Sequence, residues 1–199
     1  MPNLNKTRKA IAGSITSPII RLIAKTPLTP NSLTWLGFCI TAASAVLVVT
    51  EHLVAAGVTL LIAGLFDMLD GALARFTGKA SRFGAILDSS LDRVSEAILL
   101  IALLAVYAGN AQAWESALCG VALLASFMVS YIRARMEGLG IECTAGFFTR
   151  PERVILMVLG LLLSSVPYAL IIAIGLIAVL SILSAGQRMV FAWRITSAS

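Results

Sequence analysis

Charge is scarce in this chain. Only 13% of its 199 residues are Asp, Glu, Lys or Arg, against 59% hydrophobic, and the mean hydropathy is +0.95. That balance excludes an ordinary soluble core and leaves a polytopic membrane protein, a single domain with room for about six spans of ~20 residues. Histidine occurs once, as His52, in a short polar connection far from the acidic residues described below, so it reads as a loop residue. Cysteine occurs three times, at Cys39, Cys119 and Cys143. The three are scattered and odd in number, so they read as small apolar fillers and no disulfide is expected. No cleavable leader is expected either, because residues 1–25 lack an unbroken apolar run and a small-residue cleavage site. The net charge of +5 does not imply a nucleic-acid partner, because the basic residues are spread over the ends of apolar segments.

The apolar segments give an all-α protein with six transmembrane helices. The first span is expected from about Ser32 to Thr50, after a turn and helix start at Thr29-Pro30-Asn31-Ser32. The second runs from about Leu53 to Phe76. Its purely apolar part ends at Phe66, too short to cross alone, so it must continue through the polar residues that follow. The third, about Arg82 to Tyr107, has its polar part first. The fourth runs from about Ala113 to Glu137, with Gly138 and Gly140 as stops. A polar connection leads to Arg150-Pro151-Glu152-Arg153, where a first-turn proline fits a helix start. The fifth span extends to about Ser164, with Pro167 as the breaker, and the sixth from about Tyr168 to Trp193. Ahead of these, residues 4–26 alternate basic and apolar, with isoleucines at 11, 15, 19 and 23. This fits an amphipathic helix on the membrane surface, or a basic tail that only sets orientation. The organisation is therefore a juxtamembrane segment, 1–28, and a six-helix domain, 29–199.

All fifteen Lys and Arg fall before the first span, in the second–third hairpin, in the fourth–fifth connection, or at the C-terminal end. The loops near 51–52, 108–114 and 164–168 have none. The positive-inside rule then puts both termini, and the polar hairpin, on the cytoplasmic face of the cell membrane.

That hairpin is the chemically informative stretch. It carries Asp67 and Asp70, three residues apart, and Asp88 and Asp92, four apart. On helices each pair occupies one face, so the simplest geometry is a helical hairpin whose acidic faces meet. Carboxylates in an apolar medium need cations. Four of them with no His or Cys nearby suit a hard divalent ion such as Mg²⁺, Mn²⁺ or Ca²⁺; salt bridges between neighbouring helices are the plainer alternative.

Written out, the stretch is Asp67-x2-Asp70-Gly71-x2-Ala74-Arg75-x8-Gly84-x3-Asp88-x3-Asp92. At every fixed position it resembles the signature of the CDP-alcohol phosphatidyltransferases. The resemblance implies transfer of a substituted phosphate from a CDP-linked donor to an alcohol, with release of CMP. It implies Asp67, Asp70, Asp88 and Asp92 as ligands of Mg²⁺ or Mn²⁺, two ions in all, and Asp92 as the general base. It assigns Gly71 and Arg75 to the CDP group. Gly84 reads equally as ligand contact or as close helix packing. A homodimer is also implied by the resemblance alone.

The text from Leu87 to Glu96 and the arginines near the cytoplasmic ends resemble the inositol-phosphate branch of the family. CDP-diacylglycerol is then the expected donor, drawn from the membrane lipid, and inositol 1-phosphate, a phosphorylated polyol, the acceptor. Such an acceptor needs a basic pocket, and Arg133, Arg153 and Arg188 come from three spans at one face. Their alternative reading is as snorkelling, orientation-setting residues, with Glu96 and Glu137 simply pairing with nearby arginines. The rival functions are a phosphatidylglycerol-phosphate synthase acting on glycerol 3-phosphate and, remotely, a divalent-cation transporter. Transporter acids, however, lie near the midplane between broken helices.

Overall fold

The computed structural model describes residues 20–197. Among them every regular element is an α-helix: α1 (Pro30–Val49), α2 (Leu53–Thr77), α3 (Arg82–Gly109), α4 (Ala113–Gly138), α5 (Arg150–Leu162) and α6 (Ala169–Thr196). Residues 20–23 are also helical. The rest of the expected surface helix over 4–26, and most of the segment 1–28, lies outside the described residues.

The helix ends follow from local chemistry. Thr29 caps α1, its hydroxyl accepting the Ser32 N–H at 3.2 Å, and Pro30 occupies the first helical position. Thr149 and Glu152 form a capping box at α5, with Pro151 in the first turn. Four helices stop alike. A residue in the left-handed region (Glu51, Gly78, Ala111 or Gly140) is followed by an N–H that reaches back to a carbonyl five residues earlier. Glycine takes that conformation without strain; Glu51 and Ala111 take it at a cost of about 1–2 kcal/mol each.

α1, α2, α4 and α6 are long and apolar enough to cross a membrane. The other two expected spans differ for separate reasons. α3 has the length, but Asp88, Asp92, Arg93 and Glu96 occupy its first half, leaving an apolar run only from Ala97 onward. α5 has 13 residues, a rise of roughly 20 Å against a hydrocarbon core of roughly 30 Å. It ends at Leu162, short of the expected Ser164 and well before Pro167.

The chain forms two compact units. The first comprises residues 20–40 and 62–92. Ile20, Leu33 and Leu73 are buried at its centre, with Ile23, Phe66 and Leu69 against them. The second comprises residues 41–61 and 93–197, with Leu100, Leu103, Cys119, Leu161, Ile174 and Ile177 at its core. In this unit α6 packs on α4 and on α5. Small residues permit the approach. A Cβ on Gly160 of α5 would fall 2.7 Å from the Cβ of Ala173, and one on Gly57 would fall 3.0 Å from Leu162. Large apolar side chains such as Val46, Leu61, Leu124 and Ile172 face outward, as lipid contact requires and water would not favour.

Gly160→Ala should therefore cost about 1–3 kcal/mol by overpacking and lower the thermal midpoint in detergent by several degrees. Gly186→Ala, in α6 with nothing within 4 Å of the new methyl, should leave the midpoint unchanged or raise it. Thermal unfolding of the two variants beside the parent checks this.

Candidate active site

The expected hairpin is formed by α2 and α3. Gly78 ends α2 with φ +65°, the Lys79 N–H closing on Ala74 O at 3.1 Å. Ser81 then caps α3 by accepting the Gly84 N–H at 3.0 Å. The carboxylates of Asp67, Asp70 and Asp88 meet, each offering an oxygen, with these oxygens all within 4.8 Å of one another. Asp70 is buried, and Asp67 and Asp88 are half-buried. Asp92 is one turn further along α3 and is not part of this group of three.

Asp70 is fixed by two donors. Thr34 Oγ1 donates to its Oδ2 at 2.7 Å across a buried contact, and the Gly71 N–H donates to its Oδ1. Asp67 lies near Gly37 of α1, where a Cβ would stand 3.9 Å from its Oδ1. The donor set fits a hard divalent ion. Oxygens around Mg²⁺ or Mn²⁺ at ~2.1 Å stand roughly 3–4.2 Å apart, within the observed spread, and no nitrogen or sulfur ligand intrudes.

Beside these acids lies a cavity of about 200 Å³. Its lining includes Asp70, Asp88 and all three residues expected at the CDP group: Gly71, Arg75 and Gly84. The Arg75 guanidinium folds back over Gly71, its Nη1 at 3.4 Å from where a Cβ would be. At Gly84 a Cβ would crowd Asn31 Oδ1 at 3.1 Å and Ser81 Oγ at 3.0 Å, so this glycine serves close packing and the cavity wall together.

Asn31, Thr34, Lys79 and Ser81 also line the cavity, and sequence reasoning missed them as site residues. A signal was present for two. Asn31, Thr34, Gly37, Thr41 and Ser44 recur at helical spacing as the polar or small stripe of an otherwise apolar α1. Thr34, Thr41 and Ser44 are all buried.

The three arginines expected at the acceptor phosphate belong to the second unit and differ in setting. Arg153 is 2% exposed and forms a fork with Glu96, its Nη2 donating to Oε2 at 2.8 Å and its Nε to Oε1. Its Nη1 is buried without a partner. Arg188, 3% exposed, donates from Nη1 to Val129 O at 2.6 Å and from Nε to Ala145 O at 3.2 Å. Gly146 passes beneath it with φ +97°, where a Cβ would come within 2.5 Å of Arg188 Nε. Arg133 is exposed and pairs with Glu137 at 2.8 Å. Glu96 and Glu137 thus pair with arginines, as the alternative reading of these residues has it.

Known proteins match over most of the chain. The CDP-alcohol phosphatidyltransferase family model matches residues 27–193. The phosphatidylinositol phosphate synthase of Corynebacterium glutamicum is 38% identical over 183 residues, 89% of this chain and 84% of that protein. The archaetidylinositol phosphate synthase of Methanothermobacter thermautotrophicus is 33% identical over 201 residues, 98% of each chain. The crystal structure of Mycobacterium tuberculosis phosphatidylinositol phosphate synthase with CDP-DAG bound superposes with a TM-score of 0.82 at 35% identity, covering 90% of this chain and 94% of that one. The structure of the same enzyme in complex with manganese and citrate also gives 0.82 at 35%, covering 89% and 88%. The signature, the cavity that it lines and similarity along nearly the whole chain agree: this chain belongs to the CDP-alcohol phosphatidyltransferase family and is an enzyme of that class.

Proposed function

We propose that the enzyme moves a phosphatidyl group from CDP-diacylglycerol to inositol 1-phosphate, giving phosphatidylinositol phosphate and CMP. One observation carries the donor half: Asp70 and Asp88 line the same cavity as Gly71, Arg75 and Gly84, so a pyrophosphate held there lies against the acids. The acceptor half is supported by the relatives. Phosphatidylinositol phosphate synthase and archaetidylinositol phosphate synthase differ in the lipid part of their names and share the inositol phosphate.

Asp67, Asp70, Asp88 and Asp92 would hold divalent ions, two Mg²⁺ or Mn²⁺; the neighbour solved with manganese favours this chemistry. Bound there, such ions neutralise the pyrophosphate and the charge that develops on the departing CMP. Arg75, over the bare backbone at Gly71, holds a phosphate of the CDP group. Asp92 takes the proton of the acceptor hydroxyl as that oxygen bonds to the lipid-bearing phosphorus. The bond from this phosphorus to the bridging oxygen breaks, and CMP leaves with it. Arg133, Arg153 and Arg188 hold the acceptor's own phosphate.

In this reading α3 and α5 join the four longer helices as spans. The distribution of Lys and Arg then places both termini and the site at the cytoplasmic face. A homodimer belongs to the same reading.

CMP release should require CDP-diacylglycerol, a divalent ion and inositol 1-phosphate together. Chelation should abolish it, and Asp92→Asn should reduce it by about 10²–10⁴-fold, the usual worth of a general base. Release with glycerol 3-phosphate in place of inositol 1-phosphate would sink the acceptor assignment. Thr34→Val should leave the fold intact and raise the divalent-ion concentration needed for half activity by about 10–100-fold, since the hydroxyl fixes a ligand carboxylate; a metal titration reads this directly. Arg133→Gln removes an exposed residue. It should raise the acceptor KM about tenfold with little change in thermal midpoint, whereas Glu96→Ala strands the buried Arg153 charge and should cost about 3–5 kcal/mol of stability.

A further inference from the structure

In the second unit the connections 110–112 and 163–168 border a cavity of about 320 Å³ that the transfer reaction does not use. Tyr107 reaches it from the end of α3, Trp114 and Glu115 from the first turn of α4, and Tyr168 from the residue before α6. Glu115 Oε2 is buried and has no hydrogen-bond partner. No side-chain hydrogen bond caps α4, so the carboxylate gains from the helix dipole but satisfies no backbone donor.

Among the described residues that line this cavity there is no Lys or Arg. There is no Lys or Arg in residues 26–74, 94–132 or 154–187, which include every residue that lines this cavity. A carboxylate oxygen taken out of water with neither donor nor cation is costly, and a cation beside it would offset that cost. Its aromatic neighbours narrow which cation that would be. Ring faces of Tyr and Trp are electron-rich: they attract a diffuse cation and repel an anion. A hard metal ion would want six or more oxygens, and the cavity offers one carboxylate. An alkylammonium needs only one counter-ion, rings at its flanks and hydroxyls to take its N–H bonds, which Ser164 and Ser165 offer. The volume suits a small head group. The place suits one as well, at the ends of helices long enough to cross a membrane, where lipid head groups lie.

We propose that this cavity binds an ammonium group, with Glu115 as its counter-ion and Tyr107, Trp114 and Tyr168 as its aromatic walls. The amine comes either from an ethanolamine-bearing lipid or from a soluble alkylamine, and the chemistry of recognition is the same.

The test uses the full-length protein in detergent. Phosphatidylethanolamine and phosphatidylglycerol are titrated in native mass spectrometry, and ethanolamine in calorimetry. The parent protein should prefer the ethanolamine lipid about tenfold, and Glu115→Gln and Trp114→Leu should each remove that preference. The thermal midpoint and CMP release should stay at the parent level in both variants, and the midpoint alone suffices to show that they are folded. Binding of free ethanolamine without a lipid preference, lost in Glu115→Gln, also supports the site and assigns it to a soluble amine. Equal retention of the two lipids with no binding of ethanolamine, or a Glu115→Gln variant that binds like the parent, overturns the proposal. Because Glu115 lies outside the residues given to the transfer reaction, a failed CMP assay in the parent would count against the proposed function and leave this test intact.

Discussion

Three carboxylates held within 4.8 Å of one another, in a chain that is 59% hydrophobic, set the terms for everything around them. Like charges at that distance repel strongly wherever water is thin, and the surroundings act against their spreading apart. Thr34 reaches over from α1 to fix one Asp70 oxygen, and the Gly71 N–H fixes the other. Gly37 keeps the α1 backbone close beside Asp67. These contacts orient lone pairs inward, the arrangement that a hard divalent ion requires. The same residues that make the cluster costly to fold therefore make it able to hold such an ion.

The arginines show a different balance. Arg153 and Arg188 are almost wholly buried, and each has donors committed to the protein, to Glu96 in one case and to two carbonyls in the other. Such residues brace the second unit while keeping part of the guanidinium uncommitted. Arg133 sits in the open with an exposed pair, where the contact contributes only about a few tenths of a kcal/mol. Burial and pairing thus differ across three residues that look equivalent in the sequence.

What was legible in the sequence was whatever depends on spacing along one element. Asp67 with Asp70, and Asp88 with Asp92, announced helical faces. Apolar runs located the helices to within a few residues, and Thr29-Pro30 and Arg150-Pro151 marked helix starts correctly. Information that lives between elements was harder to read. The polar stripe along α1 does not say which of its residues meets an acid until Asp70 is known to lie opposite Thr34. The carbonyl partners of Arg188 lie on segments far from it in sequence, and nothing near residue 188 names them. The end of α5 misled for a local reason. Pro167 was the visible breaker, yet the helix stops at Leu162 without a glycine or proline to mark the place.

The link between α2 and α3 has a meaning beyond connection. One end is tied off by the turn at Gly78, the other by the Ser81 cap, so only residues 78–81 separate two rigid rods. Each added residue within a helix turns everything beyond it by about 100°, enough to swing a carboxylate off its face. The unspecified positions between Arg75 and Gly84 therefore act as a ruler. Many of their side chains could be exchanged for others, but their number could not change without unmaking the site.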